Sequence, residues 1–194
     1  MMSGMDSSPA TSTTTHPGRA ELDAALDGVL ASPPMVGTVD LVVRRPDVNE
    51  REVLSAGELV VGEGLRGDNY LSRPNPTSPD GGPHPEAELN LMNRRALDAC
   101  AAGDRQRWAL AGDQLIVDFD LSVANAPTGT RLQVGSAVIE VTAKPHRGCA
   151  KFRERFGVDA ARWVNSRDDI RLRGINAIVV ESGTVRPGDE IRKL

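Results

Sequence analysis

The apolar residues of this chain come in short runs, and none is long. Stretches rich in Val, Leu and Ile occupy residues 35–44, 52–61, 114–119, 131–134, 137–142 and 175–180, with shorter candidates at 88–92 and 190–193. Most are bounded by Gly, Pro, Asn or Asp, as at Pro46-Asp47-Val48-Asn49, Pro127-Thr128-Gly129 and Arg186-Pro187-Gly188-Asp189. Runs of this length between turn residues read as strands. Helical spacing is confined to a few short stretches: residues 19–30, with Leu22, Leu26, Val29 and Leu30 on one face, then 94–102, 151–156 and 160–166. Many short strands with few helices predict a mainly β fold with some α, a barrel or folded sheet with short helices at its periphery. No internal period appears, which excludes a solenoid or propeller.

A length of 194 residues suits one domain with a substantial core. Residues 1–18 are Ser/Thr-rich and too poor in apolar groups to offset the entropy of ordering. The expectation is a disordered tail over 1–18 and a single domain over 19–194. No apolar run approaches the roughly 20 residues needed to span a bilayer. The N-terminus also lacks a secretory apolar stretch, so the expected location is cytoplasmic, with no membrane partner. A net charge of -4 argues against nucleic acid, which requires a concentrated basic face. The segment 73–85, with five prolines and two adjacent glycines, is expected to be loop.

The chain has two cysteines, Cys100 and Cys149, and no CxxC or Cys/His cluster of the zinc type. Cys100 falls in an Ala/Leu-rich helical stretch and reads as core. Cys149 closes the loop Lys144-Pro145-His146-Arg147-Gly148 and precedes Lys151 and Arg153. Cationic neighbours and a following helix N-terminus favour a thiolate, the form that binds a soft metal centre. A small buried apolar residue is the competing reading. Arg66-Gly67-Asp68 offers a second candidate: an arginine able to grip phosphate, a permissive glycine and an orienting carboxylate. Taken alone, an ordinary polar turn is the simpler reading of it. Arg171-Leu172-Arg173-Gly174, just before a buried strand, supplies further cations for an anionic ligand or is a solvated strand entry. Nucleotide-binding glycine motifs and a serine nucleophile elbow are absent, and a His146/Cys149 nucleophile pair is disfavoured by its two-residue separation.

Four segments together resemble the molybdenum-cofactor sulfurase C-terminal (MOSC) family in order and spacing: GLRGDNY at 64–70, GDQLIVDFDLS at 112–122, PTGTRLQVGSAVIEVTAKPHRGCAKF at 127–152 and RLRGINAIVVESGTVRPGDEI at 171–191. The likeness runs from about residue 36 to the C-terminus. It implies a barrel-like β fold that binds molybdenum cofactor (molybdopterin), with Cys149 as the catalytic thiolate and molybdenum ligand. Arg66, Asp68, Lys144, Arg147 and Arg173 are then the residues expected around the cofactor, the cations serving its phosphate. Amidoxime-reducing relatives reduce N-hydroxylated small molecules with electrons from separate redox proteins; others are considered sulfur carriers fed by a sulfur donor. The resemblance therefore implies an oxidoreductase with an external electron donor, or a cofactor-binding or sulfur-carrying module without turnover of its own. The pyridoxal-phosphate domain of the full sulfurases has no counterpart at this length. Tyr70 stands where many small relatives have histidine, and a tyrosine does not titrate near neutrality.

Overall fold

The computed structural model describes residues 15–74, 78 and 80–194. The tail expected over 1–18 and the loop expected over 73–85 therefore lie partly outside the described residues.

Among the described residues, eleven strands follow in chain order: β1 (Val36–Arg44), β2 (Glu52–Leu54), β3 (Gly57–Val60), β4 (Gly64–Leu65), β5 (Leu89–Asn93), β6 (Leu115–Asp118), β7 (Arg131–Val134), β8 (Ala137–Pro145), β9 (Ile175–Glu181), β10 (Gly183–Val185) and β11 (Glu190–Lys193). Five short helices accompany them: α1 (Arg19–Ala24), α2 (Leu26–Leu30), α3 (Arg94–Cys100), α4 (Ala150–Phe156) and α5 (Val158–Val164), with a 3-10 helix at Arg105–Ala111. The principal sheet runs β11-β7-β8-β9-β5-β6-β1 and closes on itself because β1 also pairs with β11, giving a seven-stranded barrel. β2 continues from β1, and β10-β3-β4 form a separate small sheet. Every pairing in the barrel is antiparallel except β5 with β6. The register slips between Val39 and Leu41, so Asp40 forms a bulge in β1. Bulges of this kind add the local bend that closure of a sheet requires.

Alternation along the strands divides the apolar residues between two cores. Leu89, Leu91, Leu115, Val117 and Phe119 point into the barrel with Val39, Val42, Ile139 and Val179. Their neighbours Met92 and Ile116 point outward, beneath a layer holding Leu97, Cys100, Trp108, Phe152, Phe156 and Trp163. β5 and β6, the parallel pair, are thus covered on both faces, as parallel strands generally are. Asn93 joins the layers: its side-chain oxygen caps α3 by accepting from the backbone of Arg95 and Ala96, while its amide donates to Ser32 Oγ and the Phe119 carbonyl, both at 2.8 Å.

The mainly β architecture with peripheral helices agrees with the sequence. The differences are local. The helix read over 19–30 is interrupted at Ala25, and the strand read over 52–61 is two strands separated by a turn. β8 extends to Pro145, beyond the expected end at 142. Among the described residues, no helix is long and apolar enough to cross a membrane.

Candidate functional site

β8 ends at Pro145 and α4 begins at Ala150, so Cys149 sits at the N-cap of a helix whose apolar face, Phe152 and Phe156, is buried. The segment between them is held by a clamp. Asn165, at the end of α5, accepts from the Gly148 backbone N–H (2.9 Å) and donates to the Gly148 carbonyl (3.1 Å). A β-carbon at Gly148 would lie 3.0 Å from Val164 and 3.1 Å from the Asn165 amide nitrogen, so the contact is already close. The clamp fixes the peptide next to Cys149, whose side chain is exposed. Cys100 is the opposite case: it is buried in the outer core, and burial pushes its thiol up to about 12.

Cys149 lies on the wall of a cleft of about 380 Å³, within the roughly 300–1,000 Å³ typical of small-molecule sites. Arg45, Arg51 and Arg73 line it from the N-terminal half of the sequence, and Lys144, Arg147, Lys151, Arg155 and Arg173 from the C-terminal half, against one lining carboxylate, Asp47. The excess of positive charge marks a place for an anion.

Its polar floor is a hydrogen-bonded chain across several strands. Arg45 grips Asp68 in bidentate fashion, Nε to Oδ2 at 2.9 Å and Nη2 to Oδ1 at 2.7 Å. Its Nη1 donates to Asn90 Oδ1 (3.1 Å) and to the Gly112 carbonyl (3.0 Å). Asn90 donates in turn to Asn176 (2.6 Å), which donates to the Lys144 carbonyl (2.9 Å). Such a chain holds each member in one orientation, because leaving any buried partner unpaired is costly.

Beneath the floor, Asp113 is fully buried. Arg173 Nη1 reaches both its oxygens at 2.8 Å, and His146 Nδ1 lies 3.5 Å from Oδ1. Burial pushes the Asp113 carboxyl up, and Arg173 beside it pulls it back. Burial, together with the positive charges of Arg173 and Arg45, holds the His146 imidazole well below its ordinary range, so it is neutral near neutrality. The Arg173 guanidinium also stacks over the Phe152 ring, 4.9 Å from its centroid. Gly174 follows at φ +100, where a β-carbon would lie 1.8 Å from the Leu91 carbonyl oxygen; only glycine lets β9 start this close to β5.

Of the residues singled out in the sequence, Cys149, Lys144, Arg147 and Arg173 are brought to the cleft. Arg147 is engaged in a bidentate ion pair with Asp168, and Arg173 in an ion pair with Asp113 through one nitrogen. Asp68 stands behind the wall and orients Arg45. Arg66 is not brought to the cleft: it is exposed and ion-paired with Glu58 and Glu63 on the small sheet. Tyr70 lines the cleft, donates its hydroxyl to the His84 carbonyl (3.0 Å), and is pushed up by burial and by Glu88. Sequence reasoning missed Arg45, Arg51, Arg155 and the Asn165 clamp. Arg51 is the most telling of these. Half-buried, with its Nε unpartnered, it is brought down to about 10 by burial first and then by Arg155 and Arg45. A cation held among cations is stabilised by an anionic ligand.

No group of three or more His, Cys, Asp or Glu side chains among the described residues is arranged to hold a metal ion. A pterin-dithiolene molybdenum cofactor brings its own sulfur ligands, so a single protein thiolate would suffice to hold it at the metal. The exposed thiol, the cationic wall and the unpartnered Arg51 and Arg173 Nε atoms fit such a group.

The MOSC domain matches residues 81–192 of the chain. Similar solved structures include the YuaD protein of Bacillus subtilis, with a TM-score of 0.59 at 14% identity over 81% of this chain and 94% of that one. YiiM from Escherichia coli has a TM-score of 0.52 at 21% identity, over 83% of this chain and 70% of its own. YiiM from Geobacillus stearothermophilus has a TM-score of 0.51 at 10% identity, over 84% and 74%. At these identities the likeness concerns the fold. No curated protein sequence matches the chain.

Proposed function

The chain belongs to the MOSC domain family, and on that premise we propose that it binds molybdenum cofactor through Cys149 and reduces N-hydroxylated small molecules with electrons from a separate redox protein. The observation that carries the reading is the exposed Cys149 thiol on the wall of a cleft lined by eight Lys and Arg side chains and one carboxylate. Cys149 would ligate the metal, and Arg51 and Lys144 would hold the phosphate, with Arg147 and Arg173 adding positive charge from within their pairs with Asp168 and Asp113. When bound, the cofactor supplies a two-electron redox centre at the thiolate.

The protein's own residues set the stage for that chemistry. Asn165 fixes the peptide bearing the thiol, and the Asp68–Arg45–Asn90–Asn176 chain keeps the floor rigid. Tyr70 ties the segment at His84 to the rim through its hydroxyl, so its proton is committed to a carbonyl. Reduction of a hydroxylamine to an amine takes two electrons and two protons and releases water. The electrons come from the external donor, and the protons from solvent at the open cleft.

The test is elemental analysis of protein from a host that makes the cofactor. Near-stoichiometric molybdenum is expected in wild type and in Arg66→Gln, with loss in Cys149→Ala and reduced loading in Arg51→Gln. Absence of molybdenum from folded wild type made in a cofactor-replete host overturns the metalloenzyme reading. A persulfide on Cys149 in that preparation would then favour sulfur carriage.

A further inference from the structure

A second cleft, of about 210 Å³, adjoins the first: Lys144, His146, Arg147, Arg173 and Asn176 line both. Its remaining wall includes Val123, Val164 and the 167–174 loop. Most of its guanidinium groups are already neutralised. Arg147 grips Asp168 with two nitrogens, Arg167 does the same to Asp169 (2.8 and 3.0 Å), and Arg173 is spent on Asp113.

Arg171 is different. It is half-buried and lines this cleft, yet among the described residues it has no carboxylate within ion-pair distance. Its guanidinium donates to one acceptor, the Ala126 carbonyl at 2.6 Å from Nη1. Burial lowers its proton affinity, and no anion opposes the effect. Its backbone lies at φ +55, in the left-handed region that favours glycine. The turn closes through the Gly174 N–H to the Arg171 carbonyl at 2.7 Å, which any residue could provide. Glycine would serve the backbone better. What arginine adds is a desolvated fork of N–H donors facing a cleft, four of the five free of acceptors among the described residues.

We propose that the second cleft is a binding site for the oxyanion group of a small molecule, a carboxylate or a phosphate, with the Arg171 guanidinium as its counter-ion. Planar guanidinium donors match both groups in bidentate geometry. The site stands on Arg171 and the cleft alone. An extension rests on the function proposed above: an oxyanion here sits beside the segment that leads to Cys149, so the substrate of that reaction would carry an anionic group.

The experiment is ¹H–¹⁵N NMR of the full chain, titrated separately with inorganic phosphate and with acetate at ionic strength matched by chloride. Saturable shifts are expected at the amides of 167–174. Affinity should fall by roughly tenfold, the cost of losing a charged hydrogen-bond partner, in Arg171→Gln and in Arg171→Gly. The glycine variant keeps the turn while removing the guanidinium, so it guards against a folding failure in the first. Arg51→Gln, in the other cleft, should leave these shifts intact. Saturation by phosphate alone points to a phosphate ester, and saturation by acetate to a carboxylate. No saturable shift at 167–174 with either probe, or an affinity unchanged in both Arg171 variants, overturns the proposal. Molybdenum loading is read separately, so failure of one reading leaves the other standing.

Discussion

Replacing Arg173 by methionine isolates the energetic role of the Asp113 pair. Asp113 has no exposed surface, and both its oxygens rely on one nitrogen of Arg173 at 2.8 Å. Removing one partner of a buried ion pair costs about 3–5 kcal/mol, because a charge is left uncompensated. The nearby positive charges of Arg45 and Arg51 place the expected loss near the low end, about 3 kcal/mol. Asp113→Leu strands the other charge. Arg173 then keeps the Ala111 carbonyl (3.2 Å) and the Phe152 face, and the expected loss is again about 3 kcal/mol. The double variant should lie within about 1 kcal/mol of wild type, since an apolar replacement of a whole buried pair is often neutral. The coupling is therefore about 5 kcal/mol. Urea denaturation followed by the fluorescence of the buried Trp108 and Trp163 measures all four corners. In Arg173→Met the loss should also fade on acidification. A carboxyl whose folded value is raised gains its proton first in the folded state, and stability returns as pH falls through that value. A double variant that loses about 6 kcal/mol, the sum of the singles, would refute the reasoning.

Two further outcomes are expected. In native protein at about pH 8, a thiol reagent should titrate Cys149 alone, because Cys100 is buried and pushed up to about 12; both should react after denaturation, and Cys149→Ala should show no native thiol. Stability should decline as pH falls below the ordinary histidine value: the unfolded chain protonates His146 first while the folded imidazole, facing Asp113, Arg173 and Arg45, stays neutral. The slope from this group is about 1.4 kcal/mol per pH unit, and urea midpoints for His146→Gln should show a flatter dependence over the same window.

The barrel was legible because alternating strands of four to nine residues leave few other ways to bury both faces. Leu91 and Met92 illustrate this, adjacent in sequence and divided between the two cores. The 3-10 helix at Arg105–Ala111 was not legible, since Arg-Gln-Arg-Trp carries no helical apolar period. β10, three residues long, has no pattern to detect. The cationic surroundings of Cys149 on the cleft wall were legible because they are local in the sequence. Arg66 and Asp68 looked like one unit, but the turn between them sends Arg66 to Glu58 on the exposed small sheet and Asp68 inward to Arg45. Part of the cleft's charge escaped notice for the converse reason. Arg45, Arg51 and Arg155 converge only after folding, each lying beside turn or helix residues that account for an ordinary surface cation.

The double pairing of β1 has a consequence for how the molecule is made. β1 lies beside β6 and also beside β11, with Val36 opposite Arg192. During vectorial synthesis the first barrel strand must therefore wait for the last before the ring can close. Until β11 emerges, β1 and β7 each present an unpaired strand edge, the kind of surface that recruits other chains into aggregates. A nascent chain of this design depends on its N-terminal half staying sheltered while the C-terminal half is translated. Joining the N-terminal segment to the end of β11 by a short linker, and opening the chain elsewhere, would move the last-closing seam to another pair of strands.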